Sequence, residues 1–187
     1  MPTIIGHAAA GMAVSRGFFL KRWDLLAAVT AILCALLPDI DSLGFVMGVP
    51  YGSKYGHRGI SHSFAFSAAV ALFFSLTVYM AIPRQANRLK LFVCFFIAGI
   101  SHGLLDAMTD GGLGVAFFAP FSNVRYFLPW RPIPVSAIGI AASLRGRGPG
   151  VFFFEFLHLA LPSAGFIAVV ALIKKVRGRR NLDNRGT

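Results

Sequence analysis

Residues 91–112 read LFVCFFIAGISHGLLDAMTDGG. The first half of this run is apolar and uncharged, as a helix immersed in hydrocarbon requires. The second half places His102, Asp106 and Asp110 at i, i+4 and i+8, one helical stripe that drifts by about 40° per step. A lipid-compatible stem ending in an imidazole and two carboxylates predicts a spanning helix that delivers chelating groups to one membrane face. His102 and Asp106 form a pair able to grip one ion.

Further apolar segments cover about residues 2–20, 24–38, 64–82 and 151–173. As a helix, 24–38 is about 22 Å long against a hydrocarbon core of about 30 Å, so it needs a thinned bilayer or a polar end inside protein. Pro162 in the last segment predicts a kink rather than a stop. Of the 187 residues, 56% are hydrophobic and 13% charged, with mean hydropathy +0.69; soluble domains carry about 25% charged residues. The expected fold class is all-α: a polytopic transmembrane helix bundle of about five spanning helices plus an interfacial or re-entrant segment near 112–121. The aromatic and proline-rich stretch PFSNVRYFLPWRPIPV (120–135) suits the headgroup region. Residues 1–173 read as a single membrane domain and 174–187 as a basic tail. Cys34 and Cys94 lie in apolar runs and read as buried thiols without a CxxC pattern. The first basic residue, Arg16, follows the first apolar stretch, so no cleavable signal peptide is expected.

The net charge is +11, and its distribution carries topology. Arg16, Lys21, Arg22, Arg84, Arg88, Lys90, Lys174, Lys175, Arg177, Arg179, Arg180 and Arg185 fall on one side of a five-span chain. Lys54, Arg58, Arg125, Arg131, Arg145 and Arg147 fall on the other. The positive-inside rule then places the N-terminus outside and the tail in the cytoplasm. The tail lacks interleaved aromatics, so no nucleic-acid partner is expected.

On that topology all five histidines and five of the seven acids fall toward one face, the extracytoplasmic one. His7 sits near the outer end of the first helix, and LLPDIDS brings Asp39 and Asp41 out at the end of the second. In an extended stretch, those two carboxylates share a side. HRGISHS supplies His57, Arg58 and His62, with His57 in the loop, His62 at the helix start and Ser61 as N-cap. Glu155 is expected to pair with an arginine and His158 to be a packing residue. An aspartate at the centre of a span costs about 2.5–3.5 kcal/mol, so a cluster of such groups calls for a counter-charge. A divalent cation supplies one, because carboxylates and neutral imidazoles are its natural ligands.

PTIIGHAAAG, LLPDIDS, HRGISHS, SHGLLDAMTDGG and PFSNVRY, in this order over roughly residues 1–135, resemble the family of membrane-bound proteins, predicted to be metal-dependent hydrolases, typified by the inner-membrane protein YdjM. The resemblance implies a metal-site set of His7, Asp39, Asp41, His57, His62, His102 and Asp106, with Arg58 and Asp110 as neighbours. It also implies location in the inner (cytoplasmic) membrane. The motif order is more loosely similar to that of zinc-dependent phospholipases C and related nucleases.

The function expected from these readings is metal-dependent hydrolysis, of phosphoesterase type, on a lipid or membrane-proximal substrate. Zinc suits the mixed ligands best, with manganese or iron as alternatives and one or two ions. Asp41 or Asp110 is the expected general base, and Arg58 the expected phosphate clamp. The alternatives are a divalent-cation or proton transporter, or a non-catalytic membrane protein stabilised by its metal.

Overall fold

The computed structural model describes residues 2–19, 24–82, 87–135 and 148–183. Lys21, Arg22, Arg84, Arg145, Arg147 and Arg185 lie outside the described residues. Helix α1 spans Ile4–Phe18 and α2 Asp24–Leu36; a 3-10 segment, Leu37–Ser42, leads into the short α3, Leu43–Val46. A 3-10 turn at Ile60–His62 precedes α4, Phe64–Ala81, and α5 spans Arg88–Ala107. Helix α6, Gly148–Glu155, passes through a π-helical turn, Phe156–Ala160, into α7, Leu161–Asp183.

The chain is a helical membrane bundle. Four stretches among the described residues are long and apolar enough to cross a bilayer: Leu25–Val46, Phe64–Ala81, Arg88–Ala107 and Pro149–Val176. Helix α1 has 15 residues, about 22 Å, so it is shorter than the full span expected of it. It packs against α2, α5 and α7. The shortness of the second segment is resolved differently. Helix α2 continues through the 3-10 segment and α3, so that Leu25–Val46 forms one apolar stretch of 22 residues; within its LPDIDS segment Pro38 is buried and Ile40 exposed.

Small residues set how closely the helices approach. Ala27, Ala28, Ala31, Ala35, Ala71 and Ala98 are wholly buried. A Cβ on Gly11 would stand 2.9 Å from the Ala35 side chain, so α1 rides directly on α2. Close backbone approach of this kind is what small residues permit in a lipid environment, where van der Waals contact replaces the hydrophobic effect. It brings the Ala35 carbonyl within reach of α5, where the site begins.

After α5, residues 108–135 form an irregular loop. It is tied by isolated bridges Thr109 to Ile133 and Val115 to Tyr126. Val115, Ala116, Phe117 and Ala119 are buried, and Phe117 stacks on Phe64 at 5.1 Å. Phe121 and Trp130 remain exposed. At the other end, α7 runs without a break through the basic residues to Asp183, so no change of local structure marks the 173/174 boundary.

Candidate metal centre

Four segments deliver the polar groups to one end of the bundle. His7 lies in the first turn of α1, and Asp39 and Asp41 in the 3-10 segment after α2. His57 and His62 lie before α4, and His102 and Asp106 in the last turns of α5. The extended geometry expected for Asp39 and Asp41 is not what forms. With about three residues per 3-10 turn, i and i+2 diverge, and the two carboxylates meet different partners.

His102 Nδ1–H donates to the Ala35 carbonyl at 2.7 Å. That bond fixes the tautomer and leaves a lone pair on Nε2. His62 Nδ1 faces Asp41 Oδ2 at 3.1 Å, which orients its Nε2 the same way. The two Nε2 atoms stand 3.0 Å apart. Asp39 Oδ1 is 3.4 Å from His102 Nε2 and 3.8 Å from His62 Nε2. Asp106 Oδ2 is 3.3 Å from His62 Nε2 and 3.9 Å from His102 Nε2. Both oxygens of each aspartate are buried without a hydrogen-bond partner. Four electron-pair donors thus converge with no donor hydrogen of their own between them.

Asp39, His62, His102 and Asp106 could therefore hold a metal ion. A tetrahedral shell with bonds of about 2.0–2.2 Å has donor-to-donor edges of about 3.3–3.6 Å, centred on the separations found here. Without an ion, a proton takes its place. Burial disfavours the His62 cation, but the adjacent Asp106 and Asp41 carboxylates outweigh it and lift the ring to about 9. An imidazole must shed that proton to ligate. Cation uptake near neutrality is thus expected to release a proton, with apparent affinity rising with pH and levelling above about 9. Calorimetric titration in buffers of different ionisation enthalpy measures this release.

The remaining predicted residues stand around this group. Asp41 is spoken for: Oδ1 accepts from His57 Nδ1 at 2.7 Å, and Oδ2 accepts from Ser61 Oγ at 2.5 Å and Arg58 N at 3.2 Å. Those bonds leave it no oxygen for the expected role of general base. Asp41, His57 and His62 also form a second triad compact enough for an ion, but at hydrogen-bond distances with Nδ1 protons available. His7 is wholly buried, stacked on His102 at 3.7 Å, with Nε2 3.8 Å from Asp106 Oδ1. Neither of its ring nitrogens has a partner.

Arg58 is also committed. Its Nε lies 3.1 Å from Asp106 Oδ2, while the other two nitrogens donate to the Gly111 carbonyl and Thr109 Oγ1. It is only 1% exposed, so a phosphate clamp is not the role its contacts describe; it is the counter-ion of Asp106. Its backbone is left-handed, φ 62°, a conformation that costs a non-glycine residue energy and persists only where surroundings enforce it. Arg125 supplies part of that enforcement by donating to the carbonyls of His57, Ser53 and Tyr51. Asp110 is exposed and accepts from Val135 N; it closes the Thr109–Ile133 bridge and has no described contact with the cluster.

Two other expectations resolve differently. Ser63, not Ser61, caps α4, accepting from Phe66 N. Glu155 pairs not with an arginine but with the N-terminus of α1, accepting from Thr3 N at 2.5 Å and from Thr3 Oγ1. His158 does act as a packing residue: at an exposed position it stacks on Phe154 and donates from Nδ1 to the Phe154 carbonyl. Sequence reasoning also missed the demand on Gly56 and Gly59. A Cβ on Gly56 would lie 2.2 Å from the Pro50 carbonyl oxygen, and one on Gly59 2.3 Å from that of Lys54. Gly56→Ala is expected to shift His57 and Arg58, lower detergent-state stability by about 1–3 kcal/mol, and reduce bound metal. Thermal unfolding with metal analysis checks it.

The family sequence model of the YdjM inner membrane proteins matches residues 1–177. The chain belongs to the YdjM inner membrane protein family. It is 36% identical over 165 residues to the inner membrane protein YbcI of Escherichia coli (strain K12), covering 87% of this chain and 92% of that protein. No solved structure matches. The YdjM-family match extends past residue 135, so Glu155 and His158 fall within it. Family membership together with the apolar spans places the chain in the inner membrane.

Proposed function

We propose that the chain is a membrane-embedded, metal-dependent hydrolase of phosphoesterase type, acting on a lipid or membrane-proximal substrate. The observation that carries this reading is the pair of Nε2 atoms 3.0 Å apart, both Nδ1 positions occupied, flanked by two carboxylates without hydrogen-bond partners. Zinc suits two imidazoles and two carboxylates best, and manganese or iron fits the same donors. A bound cation of this kind polarises a phosphoryl oxygen and activates water at neutral pH.

The chain's own residues prepare that site. Ala35 and Asp41 orient His102 and His62 through their Nδ1 atoms, as outer-shell partners do. Arg58 neutralises part of the negative charge from the Asp106 side. His7 extends the donor set, so a two-ion version of the site would use its Nε2 with Asp106 Oδ1. Among the four central ligands Asp39 is the least enclosed, its side chain 15% accessible against 0% for the others, although its carboxylate oxygens are buried; substrate approach is assigned to its side of the cluster.

Confinement of these donors to one end of the bundle argues against transport, which needs polar groups through the bilayer or at its midplane. By the basic-residue distribution, that end faces the periplasmic side. The test is metal-replete protein in detergent against a panel of phospholipids and soluble phosphoesters. Turnover lost in Asp39→Ala supports the reading. Inertness on the whole panel, or cation uptake into proteoliposomes, overturns it.

A further inference from the structure

Beside Asp39 a cavity of about 620 Å³ opens between the start of α1, the end of α2 and α6. This lies within the roughly 300–1,000 Å³ typical of small-ligand sites. Its walls are Ile4, Ile5, Leu33, Leu36, Leu37, Ile40 and Phe152; only Thr3, Asp39 and Ser42 are polar. The geometry points to this groove as the seat of one acyl chain of a membrane phospholipid, with the lipid's ester or phosphate end directed toward the cation site beside Asp39. This inference rests on the hydrolase reading for what happens at Asp39, but not for what lies in the groove.

Three observations carry it. First, Asp39 lines the groove and is the only one of the four candidate ligands whose side chain has any accessible surface, 15%, so the groove is the side of the cluster nearest an outside molecule. Second, the groove runs down the spanning part of the chain: Leu33 and Leu36 lie one to two turns before Asp39 within the Leu25–Val46 span. At that depth the surrounding solvent is hydrocarbon, so a side opening admits a lipid tail rather than water. Third, the outer wall is fixed. Phe152 stands on α6, and Glu155, three residues on, is buried against Thr3. This clamp joins the start of α1 to α6 and keeps the groove from collapsing. A carboxylate at the polar end and a long apolar wall match a molecule with one reactive polar head and a tail.

Vesicles containing phosphatidylethanolamine with a photoactivatable group midway along one acyl chain test the proposal on full-length protein. Labelled peptides are mapped by mass spectrometry, a readout that needs no turnover. Labelling concentrated on Leu33, Leu36, Ile5 and Phe152, and reduced at least several-fold in Leu33→Trp with metal content unchanged, is the expected result. Labelling spread evenly over all lipid-facing helices, or unchanged in Leu33→Trp, overturns it. So does protein–protein cross-linking through Leu33, which would assign the groove to a second copy of the chain. Groove labelling by a protein that hydrolyses nothing leaves the acyl-chain seat standing and rejects only the hydrolase reading. Hydrolysis of soluble phosphoesters without groove labelling does the reverse.

Discussion

His102→Ala protein, purified in detergent from metal-supplemented cells, is expected to carry less than about a tenth of the wild-type metal. The reason is geometric. His102 Nε2 is the donor closest to both His62 and Asp39, and its orientation is fixed by the Ala35 carbonyl rather than by a mobile side chain. Removing an outer-shell partner alone typically weakens metal binding by about 10–100-fold, and loss of a ligand removes more. The alanine also leaves His7 without its stacking partner, so a second readout is needed to separate site loss from misfolding. His102→Gln keeps the packing and is expected to lose metal while retaining the wild-type elution profile. Asp39→Asn should behave likewise. Wild-type metal content in both conservative variants would remove these two residues from the site.

Arg58→Ala is expected to cost about 3–5 kcal/mol of stability in the metal-free state, the range for stripping one partner from a buried ion pair. Arg58 and Asp106 are both essentially unexposed and 3.1 Å apart. Without the guanidinium, Asp106 keeps only the protonated His62 ring as counter-charge, and the Gly111 carbonyl loses its Arg58 donor. Cation binding at Asp106 replaces part of the lost counter-charge. The deficit should therefore shrink when saturating metal is added, which a general packing defect would not do. Denaturation in a titrated detergent mixture, with and without metal, measures both numbers. An equal deficit in the two states contradicts the electrostatic account.

The apolar runs around 64–82 and 91–108 announce helices because lipid tolerates little else. His102 and Asp106 were legible as a pair because four residues make about one helical turn. Asp41 was not legible as a supporting residue. Its sequence neighbour Asp39 is chemically identical, and only the 3-10 turn decides which carboxylate faces Nε2 and which faces Nδ1. Arg58 read as a free cation because a loop arginine normally is one. Its burial depends on the left-handed turn between Gly56 and Gly59, whose necessity appears only once the Pro50 and Lys54 carbonyls are placed. The bond from Thr3 to Glu155 crosses 152 positions, beyond any local pattern. Apolar composition near 2–20 reads as a full span and does not say where α1 stops.

The account rests on Asp39, His62, His102 and Asp106 holding one cation together. X-ray absorption at the metal edge of zinc-loaded, detergent-purified protein measures that shell directly. The predicted spectrum shows nitrogen and oxygen neighbours at about 2.0–2.2 Å, an outer-shell scattering pattern from two imidazoles, and no sulfur. Protein that retains no zinc, or a shell without imidazole, contradicts it.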